Sequence, residues 1–202
     1  AIITPLFLLL TVAAKAEVGV GITGAMHFFD GTGTETTRTS AQKNTGAHTH
    51  DVLVPEIFVE AIADGLTLGL SFIPTREMGS KSRKDTNSDG DTGTYTGKAE
   101  LANVVQIYAD LDIPIGYPVY VKLGAQHVTL KTLESLNSGT TYPDKDLLGF
   151  TVGLGTKGDV PGADNMYYKA EVTYTDFEDV NIDSSADNNL EADLDSTAVK
   201  VS

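Results

Sequence analysis

The sequence predicts an all-β chain, an eight-stranded antiparallel up-and-down barrel with four long loops at one end and short turns at the other. Three observations predict it. After residue 16, apolar residues recur at every second position in eight separate stretches, and the three-or-four spacing of an amphipathic helix is scarce. The connections between those stretches alternate between long and short. Glycine recurs at alternate positions on the face opposite the apolar one, as in Gly19, Gly21, Gly149, Gly153 and Gly155, which suits a crowded interior better than a solvated face.

The first stretch, Glu17 to Phe29, sets Val18, Val20, Ile22, Met26 and Phe28 against Gly19, Gly21, Thr23 and Ala25. The second, Val52 to Ala63, sets Leu53, Ile57, Val59 and Ala61 against Glu56 and Glu60, with Pro55 as a cost because it cannot donate to a ladder. The third, Leu66 to Pro74, sets Leu66, Leu68, Leu70 and Phe72 against Thr67, Gly69 and Ser71. In the fourth, Tyr95 to Leu111, Ala99, Leu101, Val105, Ile107 and Ala109 oppose Lys98, Glu100, Gln106 and Asp110. The fifth opposes Val119, Val121, Leu123 and Ala125 to Lys122, Gly124 and Gln126, and the sixth opposes Leu148, Phe150, Val152 and Leu154 to Gly149, Thr151, Gly153 and Gly155. The seventh sets Tyr168, Ala170, Val172 and Tyr174 against Lys169, Glu171, Thr173 and Thr175, and the eighth sets Val199 and Val201 against Lys200 and Ser202. Bulges near Asn103 and His127 would exchange the faces locally.

Long polar connections run over Asp30 to Asp51, Thr75 to Thr94, Thr132 to Asp146 and Asp176 to about Leu190. Between them stand Asp64-Gly65, Pro114-Ile115-Gly116 and a moderate segment, Lys157 to Asn165. This order puts every long loop at one end of a meander. The apolar face is aliphatic at mid-strand and aromatic towards its ends, with Phe28, Phe72, Tyr95, Phe150 and Tyr174 near one rim and Tyr117, Tyr120, Tyr167 and Tyr168 near the other. Two such girdles bracket the lipid-facing band of a transmembrane barrel. The polar face, carrying Glu56, Glu60, Lys98, Glu100, Lys122, Lys169 and Glu171, then becomes an interior network of paired charges.

On these residues, from the Glu17-Val18-Gly19-Val20-Gly21 junction through eight alternating strands, the chain resembles the small eight-stranded outer-membrane β-barrel family, which includes outer-membrane proteins X and W and the barrel domain of outer-membrane protein A. The resemblance is architectural and covers residues 17–202. It implies location in the bacterial outer membrane, contact with its lipid and lipopolysaccharide, a monomer, and surface loops that carry the function. Residues 1–16, an apolar run ending in Ala14-Lys15-Ala16, read as the remnant of a signal peptide. The family's C-terminal strand ends in an aromatic residue, whereas this chain stops at Ser202 inside an alternating pattern, so the barrel is expected to be truncated there.

Composition narrows the function. The 202 residues include 28 acidic and 14 basic side chains, a net charge of −14, and no cysteine. Without cysteine there is no disulfide scaffold, thiolate metal site or cysteine nucleophile. The acidic excess, with no basic stripe, argues against nucleic acid as a partner. Residues 176–195 hold Asp176, Glu178, Asp179, Asp183, Asp187, Glu191, Asp193 and Asp195 with no Lys or Arg, a segment suited to divalent cations that bridge to anionic lipopolysaccharide.

An eight-stranded barrel is filled by its own side chains, so no wide pore is expected. In the second long loop, Asp85, Asn87, Asp89 and Asp91 follow the first half of a calcium loop, D-x-N-x-D-G. Thr96 stands where the bidentate Glu would be, which favours a plain hairpin tip. His48 and His50, with Asp51, offer two imidazoles to a transition metal, against the simpler reading of surface residues. Ca2+ or Mg2+ at the loops is the only cofactor the sequence offers. The reading is a non-enzymatic, porin-like barrel that displays acidic loops for envelope structure, adhesion or minor solute passage. The alternatives are a soluble or secreted β-sheet protein, as ligand carrier or fibre subunit, and a barrel enzyme acting on lipid A, for which no G-x-S-x-G element is present.

Overall fold

A computed structural model describes residues 16–38, 41, 43–85, 93–136 and 140–202. The described residues form ten strands: β1 (Glu17–Thr36), β2 (Lys43–Ala63), β3 (Leu66–Ile73), β4 (Arg76–Asp85), β5 (Gly93–Asp112), β6 (Val119–Thr132), β7 (Lys145–Asp159), β8 (Tyr167–Phe177), β9 (Val180–Asp183) and β10 (Asn189–Val201). All pairings are antiparallel. β3 and β4 follow one line interrupted at Pro74-Thr75, and both pair with β5; β8 and β9 are likewise interrupted at Glu178-Asp179, and both pair with β10. The sheet therefore closes as a ring of eight strands, β1-β2-β3-β5-β6-β7-β8-β10, sealed by β1 against β10 from Gly24↔Val201 to Thr36↔Asn189. Closure leaves no edge in the ring, the usual reason an antiparallel sheet curls up.

Tight turns gather at one end. Asp64-Gly65 joins β2 to β3 with Gly65 at φ 74°, a conformation that favours glycine. The opposite end differs from expectation, because the polar stretches there are largely strand. The β1–β2 ladder runs on to Thr36↔Lys43, and β4 with the start of β5 forms a second hairpin to Asp85↔Gly93. Polar residues on both faces read as loop in a one-residue-at-a-time scan, yet backbone pairing continues wherever a partner strand stays in register. Pro55 lies within the β1–β2 ladder, opposite Gly24, and before the β2–β3 ladder, which begins at Ile57.

The apolar face points outward. Val18, Val20, Ile22, Leu53, Ile57, Phe72, Ile107, Phe150, Val152, Leu154, Val172 and Val201 are all exposed, and the facing positions are buried. Along β1 the belt runs from Val18 to Phe28, about 33 Å of strand, or about 25 Å vertically at a tilt of about 40°. Phe28, Phe72, Phe150 and Tyr174 end it on the long-loop side, and Tyr117 and Tyr168 on the other. Tyr120 and Tyr167, expected at that second rim, instead turn their hydroxyls inward to Glu171 and Glu60.

The interior is layered from the short-turn end upward, most plainly on the strands that carry inward charges. β8 reads Lys169, Glu171, Thr173, Thr175, Phe177 inward; β5 reads Asp110, Tyr108, Gln106, Val104; β6 reads Tyr120, Lys122, Gln126, Val128. Charge lies lowest, hydroxyls and amides come next, and an apolar cluster of Phe29, Val54, Ile73, Met78, Leu101, Val104, Val128, Leu147, Phe177, Val180 and Ile182 closes the top. Polarity thus inverts along the axis: below the level of Phe28 the barrel is apolar outside and polar inside, and above it the reverse. On β5 a bulge makes the exchange. The β5–β6 register shifts between Ala102 and Val105, with Asn103 at φ 53°, so Leu101 and Val104 both turn inward.

The inward glycines make room for aromatic rings on the neighbouring strand. Gly69 lies opposite Tyr108 and Gly155 opposite Tyr120, and a Cβ would come within 2.1 Å and 2.4 Å of those rings. Gly69→Val is therefore expected to destabilise the barrel by about 1–3 kcal/mol through overpacking. Gly46→Val on the upper part of β2, where nothing lies within 4 Å, is expected to be close to neutral. Equal urea midpoints for the two variants would contradict this packing.

Candidate functional site

The charged lower layer is a single network. Lys169 Nζ lies 2.5 Å from Glu60, 2.6 Å from Asp110 and 3.6 Å from Glu171, while Lys122 Nζ lies 3.0 Å from both Asp110 and Glu171. Three phenols donate into it: Tyr108 to Glu60 at 2.7 Å, Tyr120 to Glu171 at 2.6 Å and Tyr167 to Glu60 at 2.7 Å. The Lys122 ammonium also sits 3.4 Å from the centre of the Tyr108 ring. One layer up, Lys200 donates to both oxygens of Glu56 at 2.8 and 3.1 Å, and His27 bridges Glu56, at 3.3 Å, to the Ser196 hydroxyl, at 3.2 Å. Arg76 lies over the Phe29 ring at 5.2 Å.

Glu56, Glu60, Asp110 and Glu171 pair with Lys122, Lys169 and Lys200, whereas the buried Arg76 keeps Nε and Nη1 without a hydrogen-bond partner among the described residues. Buried charges persist away from water when they are paired as these carboxylates and ammonium groups are. The space left among them is about 10 Å3, lined by Thr23, Ser71 and Gln106 among others, enough for one water at most. The arrangement of Ser196, His27 and Glu56 has the order of a nucleophile, base and orienting carboxylate. It is buried, with Ser196 2% exposed and His27 stacked on Phe29 at 5.5 Å.

Of the interior residues singled out in the sequence, Glu56, Glu60, Lys122, Lys169 and Glu171 lie in these networks. Lys98 and Glu100 do not. They stand above the Asn103 bulge, where the faces of β5 have exchanged, and Lys98 pairs at 2.6 Å with Glu77 on the outer surface. That hydrogen bond holds the Lys98 ammonium above its ordinary pKa. Asp110, which the alternation puts on the polar face of its strand, joins the interior network, and so do His27, Ser196 and Arg76. Their partners are distant in sequence, and only the register brings them together. Asn87, Asp89 and Asp91 of the calcium-loop pattern lie outside the described residues; Asp85 ends β4, its backbone paired with Gly93.

Just above the belt, Asp30 lies across from Asp195, and Asp195 across from Asp176, so three carboxylates cross β1, β10 and β8 on the outer surface. Partial burial and the charges of Asp30 and Asp176 raise the Asp195 pKa. Beside them an open cleft of about 340 Å3 is lined by Asp179, Glu191 and Asp193 with Thr32 and Thr34.

An outward apolar belt, aromatic at both margins, around a filled polar interior leaves one architecture. The fold is that of a membrane-spanning β-barrel. No protein-family model and no curated protein matches the sequence. Solved structures that align with the barrel include the Neisserial surface protein A, 14% identical over 91% of this chain and 98% of that one, with a TM-score of 0.35. The outer membrane protein AlkL, in lipid bilayers, aligns at 10% identity over 90% of this chain and 88% of that one, with a TM-score of 0.45. The outer membrane protease OmpT of Escherichia coli aligns at 6% identity over 94% and 98%, with a TM-score of 0.43. The barrel is established by its own pairing and closure.

Proposed function

We propose that the barrel is a closed, non-enzymatic anchor of a bacterial outer membrane that presents an acidic rim and hairpins to the exterior. The observation that carries this reading is the filled interior: charged side chains in ion pairs occupy the lower barrel, an apolar cluster occupies the mouth, and the pocket among the charged residues holds about 10 Å3. A conduit for solutes needs continuous free volume, and an enzyme needs its reactive group within reach of substrate. Function then resides on the outer surface, where strands hold the carboxylates in fixed positions. Divalent cations between Asp30, Asp176 and Asp195 and the phosphates of lipopolysaccharide would relieve the mutual repulsion of the carboxylates.

Planar-bilayer recording tests closure, and steady conductance steps of porin size would overturn it. The rim has a pH signature of its own. Asp195 has a folded-state pKa above its unfolded value, so the protonated form is favoured on folding. That contribution is fully present below the unfolded pKa and is lost as pH rises through the folded one. In chelator, the Asp195 contribution, read as the difference in unfolding temperature between the unsubstituted chain and Asp195→Asn, is therefore expected to be more favourable near the carboxylate range than at about pH 7. Magnesium should recover the loss at about pH 7 only in vesicles that contain lipopolysaccharide.

A further inference from the structure

We propose that His48 and His50 form a two-imidazole site for a late first-row divalent ion, Cu2+, Ni2+ or Zn2+, at the mouth of the barrel. Residues two apart on a strand share a face, and register places His50 opposite Phe29 and His48 opposite Gly31, so both imidazoles are on the inward-turned side of β2. The rings are nearly parallel, 14° between planes, with centroids 6.3 Å apart. They converge on β4. A Cβ placed on Gly79 would lie 2.7 Å from His48 Nε2 and over the face of the His50 ring, 3.3 Å from Nδ1 and 3.5 Å from Cγ, so the space beside Gly79 borders both imidazoles. The missing side chain at Gly79, which sits at φ 91° beside the β4 bulge, is what leaves that space open.

Neither imidazole has a hydrogen bond or ion pair among the described residues, so the ring nitrogens have no competing protein partner. The other two histidines differ. His27 is buried and bonded to Glu56 and Ser196, and His127 stands alone beside Asp146 at 3.9 Å. Neutral imidazole suits Cu2+, Ni2+ and Zn2+ far better than Mg2+ or Ca2+, and metal–nitrogen bonds of about 2.0–2.1 Å to both rings are reached when His50 turns its ring edge, in place of its face, towards the space beside Gly79. His48 is exposed and His50 partly so, which leaves the remaining coordination positions to water. The acidic exterior raises the local concentration of divalent cations.

The test is calorimetric titration of CuSO4 or NiCl2 into the detergent-folded chain in a non-coordinating buffer, with paramagnetic resonance of the copper sample to count nitrogen ligands. One ion per chain bound by two nitrogens is expected. His48→Ala and His50→Ala should each weaken binding by about tenfold or more, and His127→Ala should leave it unchanged. Gly79→Ala keeps both imidazoles but fills the space that borders them, and it too should weaken binding. Heat-modifiable gel migration reports folding of each variant, with His48→Gln and His50→Gln as milder replacements. Undiminished binding in the His48→Ala/His50→Ala double variant, or in Gly79→Ala, would overturn the site.

Discussion

Lys169→Met is expected to destabilise the folded barrel by about 3–5 kcal/mol, read from urea unfolding in lipid vesicles. The ammonium is the hub of the lower layer, with Glu60, Asp110 and Glu171 all within 3.6 Å. Met fills nearly the same volume, so the cost is electrostatic. Glu60 loses the one ammonium it meets among the described residues and retains the Tyr108 and Tyr167 hydroxyls, while Asp110 and Glu171 must share Lys122. Adding Glu60→Gln should recover part of the loss, because it removes the stranded charge, and a purely steric effect would add instead. Lys98→Met breaks an ion pair of similar length to Glu77, but on the outer surface where water screens the charges, and should cost far less than Lys169→Met. Similar losses at positions 169 and 98 would refute the layered interior.

A second large effect is expected on the opposite face. Ile107→Arg, at mid-belt on β5 and 60% exposed, should cost about 2–4 kcal/mol when the barrel unfolds from a bilayer. Thr49→Arg, on β2 across from Asp30 and above the belt, should be near neutral or mildly stabilising. The contrast tests the surrounding solvent directly. Beside water, an arginine in place of an exposed isoleucine costs little, so a neutral result at position 107 would count against a lipid-facing belt and favour a soluble barrel.

Much of this architecture was legible in the chain because a period of two is a property of one strand at a time. Val18, Val20 and Ile22 alternate with glycine, and Leu148, Phe150, Val152 and Leu154 do the same, whatever lies next to them. Glycine on the polar face also marked the inside, and its physical reason is visible at Gly69 and Gly155, each covered by a tyrosine ring. Two kinds of information were not local. The Asn103 bulge exchanges the faces of β5, which removes Lys98 and Glu100 from the interior although their alternation with Leu101 and Ala99 is regular. The association of His27 with Ser196, 169 positions later, depends on the closing pair of strands, which no single stretch encodes. The extended hairpins escaped for a related reason: a ladder needs a partner in register, and polar sequence neither requires nor forbids one.

The inversion of polarity near Phe28 has a mechanical consequence. On β1, Phe28 is followed two residues later by Asp30, and the same step occurs on β8 from Tyr174 to Asp176 and on β10 from Thr197 back to Asp195. Sinking by one pleat would carry these three carboxylates together towards hydrocarbon, at about 2.5–3.5 kcal/mol for each charge that reached the centre. Rising by one pleat would strip lipid from the lower aliphatic rows. The barrel therefore carries a waterline, drawn around its circumference in side chains, that fixes how deep it floats and keeps its outer hairpins at a constant height above the bilayer.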